Sequence, residues 1–288
     1  MIFIKIYHSG VRSMPTEPLE DSSSDILCKA MRGLELSPAE VAKKAQLPLE
    51  HVNALLSGEG DELSLQLVAT VLHLHPKRLL SIRRNEYHPR ISCPPKEWRR
   101  FQTDFVGTLV NSYLIWDTTA HSAAAFDTGS DASGLLNCLT KYQLQLKFLF
   151  LTHSHGDHVF DLDRIVEKTG AAAWIAEELP GTQLLQPGQT FLMGGFVIEA
   201  RRTCGHSPSG ITYVVHNQKY SAAFVGDALL AGSIGMPSFS YQKALQTCVL
   251  SIFSLPEHTL LCPGHGPLTS VGEEKASNPF FPLEVPEY

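Results

Sequence analysis

Apolar and polar residues alternate at helical spacing between residues 22 and 84. Ile26, Leu27 and Ala30 lie within one helical turn of each other, and Val68 and Leu72 repeat the spacing. Apolar positions separated by three or four residues form one face of an amphipathic helix. The pattern predicts four or five short helices, which we assign to a small all-α domain over residues 22–85.

The second and third of these helices have recognisable ends. Ser37 is followed three positions later by Glu40, which forms a capping box, and Pro38 suits the first helical position. A turn is expected at residues 46–48. The next helix, over residues 49–56, should end at Gly58, which we interpret as a carboxy-terminal cap. Two helices joined by a short turn are therefore predicted.

The pattern changes beyond residue 100, where short strand-like runs alternate with helical stretches. The predicted strands cover residues 108–116, 123–126, 148–152, 196–200, 211–215 and 222–225, and the predicted helices cover residues 134–142 and 161–168. This alternation is typical of an α/β domain, which we place at residues 101–288. Proline-containing residues 86–100 are interpreted as a linker, and residues 1–21 as a disordered tail.

Composition agrees with a folded chain. Hydrophobic residues make up 43% of the 288 residues and charged residues 18%, which excludes disorder for most of the sequence. No apolar run reaches the roughly 18 residues of a membrane-spanning helix, and the apolar run at the start of the sequence is too short for a secretory signal. We therefore expect a soluble, cytoplasmic protein with no membrane partner.

Cysteine spacing and charge narrow the function classes further. The six cysteines include no Cys-x-x-Cys pair, so neither a disulfide framework nor a thiolate zinc finger is indicated. The net charge of −6 is uneven. Residues 1–100 hold 14 basic and 12 acidic residues, a net of +2, and residues 101–288 hold 9 and 17, a net of −8. The larger part should repel polyanions such as nucleic acids.

Potential metal ligands are most concentrated in Thr152-His153-Ser154-His155-Gly156-Asp157-His158, directly after the apolar run at residues 148–151. Three imidazoles and a carboxylate within six residues are good ligands for zinc, iron or manganese. Three later positions present one polar ligand each in a glycine-containing turn after an apolar or strand-like run. These are His206, Asp227 and His265. The pattern predicts a metal site.

The ordered series His-x-His-x-Asp-His, His, Asp, His resembles the metallo-β-lactamase superfamily over residues 101–288. The resemblance implies an αβ/βα sandwich, here preceded by the small all-α domain, and two divalent metal ions. It places one ion on His153, His155 and His206, the other on Asp157, His158 and His265, and Asp227 between them. Zinc is the expected metal, with iron or manganese as alternatives.

Residues 226–235 and 262–280 resemble the short glyoxalase II-like hydrolases of this superfamily. That resemblance implies hydrolysis of hydroxyacylglutathione-like thioesters or related small acyl compounds, with Asp157 and Asp227 as catalytic residues. A hydroxide held between two cations is a nucleophile at neutral pH. The sequence departs from the group at Met236, where many relatives carry arginine, and only 23 residues follow His265, so the helical domain that binds glutathione is not expected.

Other functions fit parts of the sequence. A persulfide dioxygenase-like enzyme would hold one iron on His153, His206 and Asp227, and a lactonase would use the same hydroxide. Residues 36–58 resemble the helix-turn-helix of phage-repressor-like domains, which suggests a DNA-binding regulator with a metabolite-sensing metal domain. The predicted helix over residues 49–56 contains no lysine or arginine, which disfavours DNA as a partner. The helices could instead cover the active site or join two copies in a homodimer.

Overall fold

The computed structural model describes residues 17–91, 95–217 and 221–281. Five helices come first: α1 (Ser23–Gly33), α2 (Pro38–Ala45), α3 (Leu49–Leu56), α4 (Glu62–Val71) and α5 (Pro76–Arg83). The capping box predicted at Ser37 and Glu40 is present at the start of α2. Gly58 has a φ of +81° just after α3, as its predicted capping role requires. In the described part of the chain, no helix has both the length and the apolar character needed to cross a membrane.

Two six-stranded sheets follow. The first runs in chain order through β1 (Trp98–Phe105), β2 (Thr108–Asp117), β3 (Ser122–Phe126), β4 (Gln145–Phe150), β5 (Ala172–Ile175) and β6 (Gln183–Leu184). The second, also in chain order across the sheet, contains β7 (Thr190–Met193), β8 (Phe196–Arg202), β9 (Ile211–His216), β10 (Ser221–Gly226), β11 (Leu260–Pro263) and β12 (Thr269–Ser270). The parallel pairs are β3 to β6 and β10 with β11.

An aromatic core holds the two sheets face to face. Phe126 of β3 stacks on Phe224 of β10 with ring centroids 3.7 Å apart, and Phe150 and Tyr213 pack beside them. Side chains that alternate along each strand fill this layer. The outer face of the first sheet packs against α6 (Ser133–Lys141) and α8 (Leu162–Thr169). The result is a mixed α/β sandwich with two six-stranded sheets at its centre, which agrees with the sandwich that the resemblance implies.

The five amino-terminal helices form the layer that covers the second sheet. Ile26 and Leu55, from the helices, belong to the same apolar cluster as Val214 and Val225 of β9 and β10. The cluster also includes residues of a π-helical turn (Cys248–Ile252) and of α10 (Val271–Ser277), and α9 (Tyr241–Thr247) packs against it. The helices therefore share one apolar cluster with the second sheet, and the division into a domain of their own over residues 22–85 stays a prediction.

Helix α5 is tied to residues 278–281. Arg78 is buried and donates hydrogen bonds to the carbonyls of Asn278 (3.0 Å) and Phe281 (2.6 Å). The backbone N–H of His75 donates to the carbonyl of Pro279 over 2.8 Å. Three hydrogen bonds thus join segments about 200 residues apart in sequence.

Two predicted boundaries differ from the structure. Residues 17–21, assigned to the disordered tail, pack on the fold: Glu17 accepts a hydrogen bond from Arg100 over 2.6 Å, and Asp21 forms an ion pair with Lys29. The rest of the predicted tail, residues 1–16, lies outside the described residues. Strand β1 begins at Trp98, three residues before the predicted start of the α/β domain at residue 101, because it pairs with β2 along its whole length.

Candidate metal centre

The loops that follow four strands meet at one edge of the sandwich and bring all seven predicted ligands together. Their positions are His153 and His155 after β4, Asp157 and His158 in the short helix α7 (Gly156–Val159), His206 between β8 and β9, Asp227 after β10, and His265 after β11. Strand ends are rigid, so side chains carried on the turns beyond them hold a fixed geometry.

The side chains form two adjoining groups. The ligand atoms of His153, His155 and His206 lie within 4.8 Å of one another, and Nε2 of His206 is 2.9 Å from Nδ1 of His155. The ligand atoms of Asp157, His158 and His265 satisfy the same limit, with Nε2 of His265 3.2 Å from Oδ2 of Asp157. Each group has the size of a three-ligand metal site.

Asp227 lies between the two groups. Its Oδ2 is 3.4 Å from Nε2 of His206 and 3.6 Å from Nε2 of His265. Its Oδ1 is 3.4 Å from Nε2 of His158. One carboxylate thus reaches histidines of both groups, which is the arrangement that a bridging ligand requires.

Two glycines allow this close approach. Gly226, which precedes Asp227, has a φ of +50°, and a Cβ there would collide with the side chain of Thr152. A Cβ at Gly264 would collide with Oδ1 of Asp227 and with the ring of His158. The N–H of Gly264 donates to the carbonyl of Gly226 over 2.9 Å, so the turns that carry Asp227 and His265 are joined directly. A larger side chain would displace ligands at Gly264 and Thr152 at Gly226.

Four of the five histidines have their Nδ1 atom beside an oxygen atom that fixes the ring. The pairs are His153 with Oγ1 of Thr152 (3.0 Å), His158 with Oδ2 of Asp127 (2.8 Å), His206 with the carbonyl of Met236 (2.8 Å) and His265 with the carbonyl of Leu109 (2.7 Å). Metal-binding histidines usually use one ring nitrogen in this way and direct the other at the ion.

Asp127 is a functional residue that the sequence prediction missed. It is buried, and its carboxylate accepts hydrogen bonds from the backbone N–H of Thr152 (2.8 Å) and from the Thr152 hydroxyl (2.9 Å), besides its contact with His158. One signal was available, because Asp127 follows a predicted strand directly, as Asp227 does. The residue positions both the loop after β4 and the ring of His158.

Electrostatics divide the site into neutral and charged groups. Burial and the neighbouring His158 hold the pKa of His153 well below its ordinary value, so this imidazole is neutral. Burial acts in the opposite direction on Asp227, but the charge of the neighbouring His158 keeps the pKa of this carboxyl well below its usual range. Burial also opposes the charge on His265, yet the hydrogen bond that its ring donates to Asp157 and the charge of Asp227 raise its pKa to about 9.

The donor set fits divalent metal ions. Nε2 of His153, Nε2 of His158 and Oδ1 of Asp227 are buried, and none has a hydrogen-bond partner among the described residues. Buried polar atoms are nearly always satisfied, so three such atoms aimed at a common point indicate a ligand between them. Imidazole nitrogens and carboxylate oxygens are suitable donors for zinc, iron and manganese alike.

Comparison with protein families agrees with this geometry. The family model for the metallo-beta-lactamase superfamily matches residues 106–183 and 179–265, which together exceed half of the chain. All seven residues of the centre lie within that match. The five amino-terminal helices lie before it.

Individual relatives carry two different activities. Hydroxyacylglutathione hydrolase GloC of Haemophilus influenzae is 30% identical over 198 residues, which are 59% of this chain and 92% of that protein. The mitochondrial persulfide dioxygenase ETHE1 of Homo sapiens is 29% identical over 190 residues, 62% of this chain and 73% of that protein. The crystal structure of the BLEG-1 B3 metallo-beta-lactamase aligns with a TM-score of 0.56 and 28% identity, covering 64% of this chain and 98% of that chain.

Proposed function

Because the chain belongs to the metallo-beta-lactamase superfamily, we propose that it is a metal-dependent hydrolase of thioesters or related small acyl compounds. The observation that carries the proposal is the pair of three-ligand groups with Asp227 between them. A single-metal enzyme needs only one such group. The similarity to a hydroxyacylglutathione hydrolase supports a thioester as the substrate class.

The chain offers His153, His155 and His206 to one ion and Asp157, His158 and His265 to another. Two divalent ions bound there would lower the pKa of a water molecule and polarise the carbonyl of an acyl substrate. We assign zinc to both positions, since histidine-rich sites with few carboxylates suit it, and iron or manganese remain alternatives for the same donors.

The two carboxylates have different surroundings. The side chain of Asp157 is 21% exposed and that of Asp227 is 10% exposed. Asp157 is thus the carboxylate of the centre better placed to exchange a proton with solvent during turnover. Asp227 is enclosed by His158, His206 and His265, and its role is to fix the position of the two three-ligand groups relative to each other.

A persulfide dioxygenase-like reaction is the second candidate, and the similarity to ETHE1 favours it. His153, His206 and Asp227 would hold its single iron, and Oδ2 of Asp227 is 3.4 Å from Nε2 of His206. His158 and His265 argue for the hydrolase, because both direct an Nε2 atom at the same centre and would have no metal to bind in a one-iron enzyme.

The contacts of three arginines in and directly after α5 favour an enzyme over a DNA-binding regulator, although Lys77 of the same helix is exposed. Arg78 is buried, Arg83 donates to the carbonyl of Gly60 over 2.8 Å, and Arg84 pairs with Glu62. Cations engaged within the protein contribute little to phosphate binding. A lactone, which the same hydrolytic centre would open, is included among the acyl substrates proposed here.

Metal content and thioester hydrolysis test the proposal together. We expect near two metal ions per chain, and cleavage of S-lactoylglutathione or simpler thioesters that a chelator abolishes. One iron per chain without hydrolysis would favour the dioxygenase. Hydrolysis that persists after complete metal removal would refute the metal-dependent reaction.

A further inference from the structure

Residues 17–21 lie beside the metal centre, and we call them the rim segment. Its first residue, Glu17, accepts hydrogen bonds from Arg100 (2.6 Å) and from the side-chain amide of Gln102 (2.9 Å). Its last residue, Asp21, forms an ion pair with the buried Lys29. Both ends of the segment are therefore fixed by charged contacts.

The two cations that hold the rim segment also contact the loops of the metal centre. Lys29 donates to the carbonyl of Ile234 over 2.8 Å, in the loop that follows Asp227. Arg100 donates to the carbonyl of Gly266 over 3.3 Å, next to His265. Each cation is neutralised by a carboxylate of the rim segment, so neither is left to attract an anionic substrate.

Glu20 lies between these two anchors. A Cβ added to Gly266 would come within 3.1 Å of the Glu20 Cβ and 3.2 Å of its backbone nitrogen, so Glu20 packs directly on the turn that carries His265. Its side chain is exposed, and no residue in the described ranges forms a hydrogen bond or ion pair with its carboxylate. Burial raises the pKa of Glu20, and the charge of His265, which that turn carries, lowers it.

We propose that Glu20 determines the charge preference of the active site, which favours thioesters with a cationic or neutral leaving group over those with an anionic one. The proposal rests on the hydrolase function above and narrows its substrate class. The carboxylate of Glu20 repels an anionic group that approaches beside His265, and the neutralised Lys29 and Arg100 provide no compensating attraction. For unit charges separated by about one Debye length at physiological salt, with partial solvent screening, the preference would be about fivefold.

Three thioesters with one acyl group and different thiols test the preference. The thiols are thiocholine, which is cationic, N-acetylcysteamine, which is neutral, and 3-mercaptopropionate, which is anionic. We expect kcat/KM to fall in that order for the wild-type protein, and the difference to shrink in high salt. Glu20→Gln should reduce the ratio of cationic to anionic kcat/KM about fivefold, and Glu20→Lys should invert the order.

Glu50→Gln is the matched control, because Glu50 is an exposed carboxylate on α3 and the substitution changes the net charge by the same amount. It should keep the wild-type ratio. An equal loss of the ratio in Glu50→Gln would show that the net charge of the protein, and not Glu20, sets the preference.

Binding of the free thiols to the cobalt-substituted protein, followed by absorption, separates this inference from the hydrolase proposal. Thiocholine should bind more tightly than 3-mercaptopropionate, and Glu20→Gln should remove the difference. If thioesters are cleaved but Glu20→Gln retains the wild-type ratio, the role of Glu20 is refuted and the hydrolase stands. If no thioester is cleaved but thiol binding depends on Glu20 as expected, the hydrolase proposal fails and the role of Glu20 stands.

Discussion

Replacing Asp127 with asparagine should weaken one metal position much more than the other. Asparagine keeps the shape of the side chain but removes its charge and replaces one acceptor oxygen with a donor. Oδ2 of Asp127 faces both the Thr152 hydroxyl and Nδ1 of His158, and Oδ1 accepts from the Thr152 N–H. Any orientation of the amide breaks at least one of these contacts.

The size of the expected loss of metal affinity follows from the role of Asp127 in orienting the ring of His158. Loss of a partner that orients a metal-binding histidine typically lowers metal affinity by about 10- to 100-fold, or about 1.4 to 2.8 kcal/mol. The larger loss should fall on the ion bound by Asp157, His158 and His265, because Asp127 contacts His158 directly and reaches the other group only through Thr152. His206, held by the carbonyl of Met236 and not by Asp127, keeps its orientation.

Competition titration with a chromophoric chelator would give both dissociation constants. Asp163→Asn is the matched control, because Asp163 is exposed on α8 and the substitution is chemically the same. We expect the control to retain both affinities. Two wild-type affinities in Asp127→Asn would refute the reasoning, and an equal loss at both positions would show that Asp127 supports the whole edge of the sandwich.

Four further outcomes follow from the geometry. Asp157→Ala should lower turnover by about 100-fold or more with an unchanged circular dichroism spectrum, and full activity would exclude its role. Because the pKa of His265 is raised to about 9, the metal-free protein carries a proton on this ring at pH 7.5. Metal binding should release that proton, so the apparent metal affinity should rise with pH up to about 9. Calorimetry in buffers of different ionisation enthalpy measures the release, and the absence of released protons would contradict the prediction. Gly264→Ala should displace Asp227 and reduce the amount of bound metal. Elemental analysis that found two metal ions per chain in this variant would contradict the prediction. Lys29→Met should remove about 3 kcal/mol from the free energy of unfolding in urea, and unchanged stability would show that its ion pair contributes nothing.

The parts of the molecule that could be predicted from the sequence are those with strong local signals. The capping box at Ser37 and Glu40 specifies a helix start within four residues. The apolar run before His153 marks a buried strand, and the dense histidines that follow it mark a metal site. Each signal is contained in a short window of sequence.

The rest depends on partners distant in sequence. The rim segment is polar and proline-containing, as a tail would be, and partners distant in sequence, among them Arg100, Gln102 and Lys29, fix it in place. Asp127 is one of several acidic residues in loops, and its importance depends on His158 and on burial. Strand β5 is four residues long, too short for a reliable alternation, and its pairing with β4 determines it.

The hydrogen bonds from Arg78 to the carbonyls of Asn278 and Phe281 have a consequence for synthesis of the chain. The helices leave the ribosome before either sheet, but the outer layer that they form is incomplete until residues 278–281 have been made. Contacts between segments so far apart in sequence form late in folding, because the intervening chain must first be ordered. On the ribosome, the helices therefore wait with an apolar face exposed while both sheets are translated, and this is the period in which a chaperone would bind them.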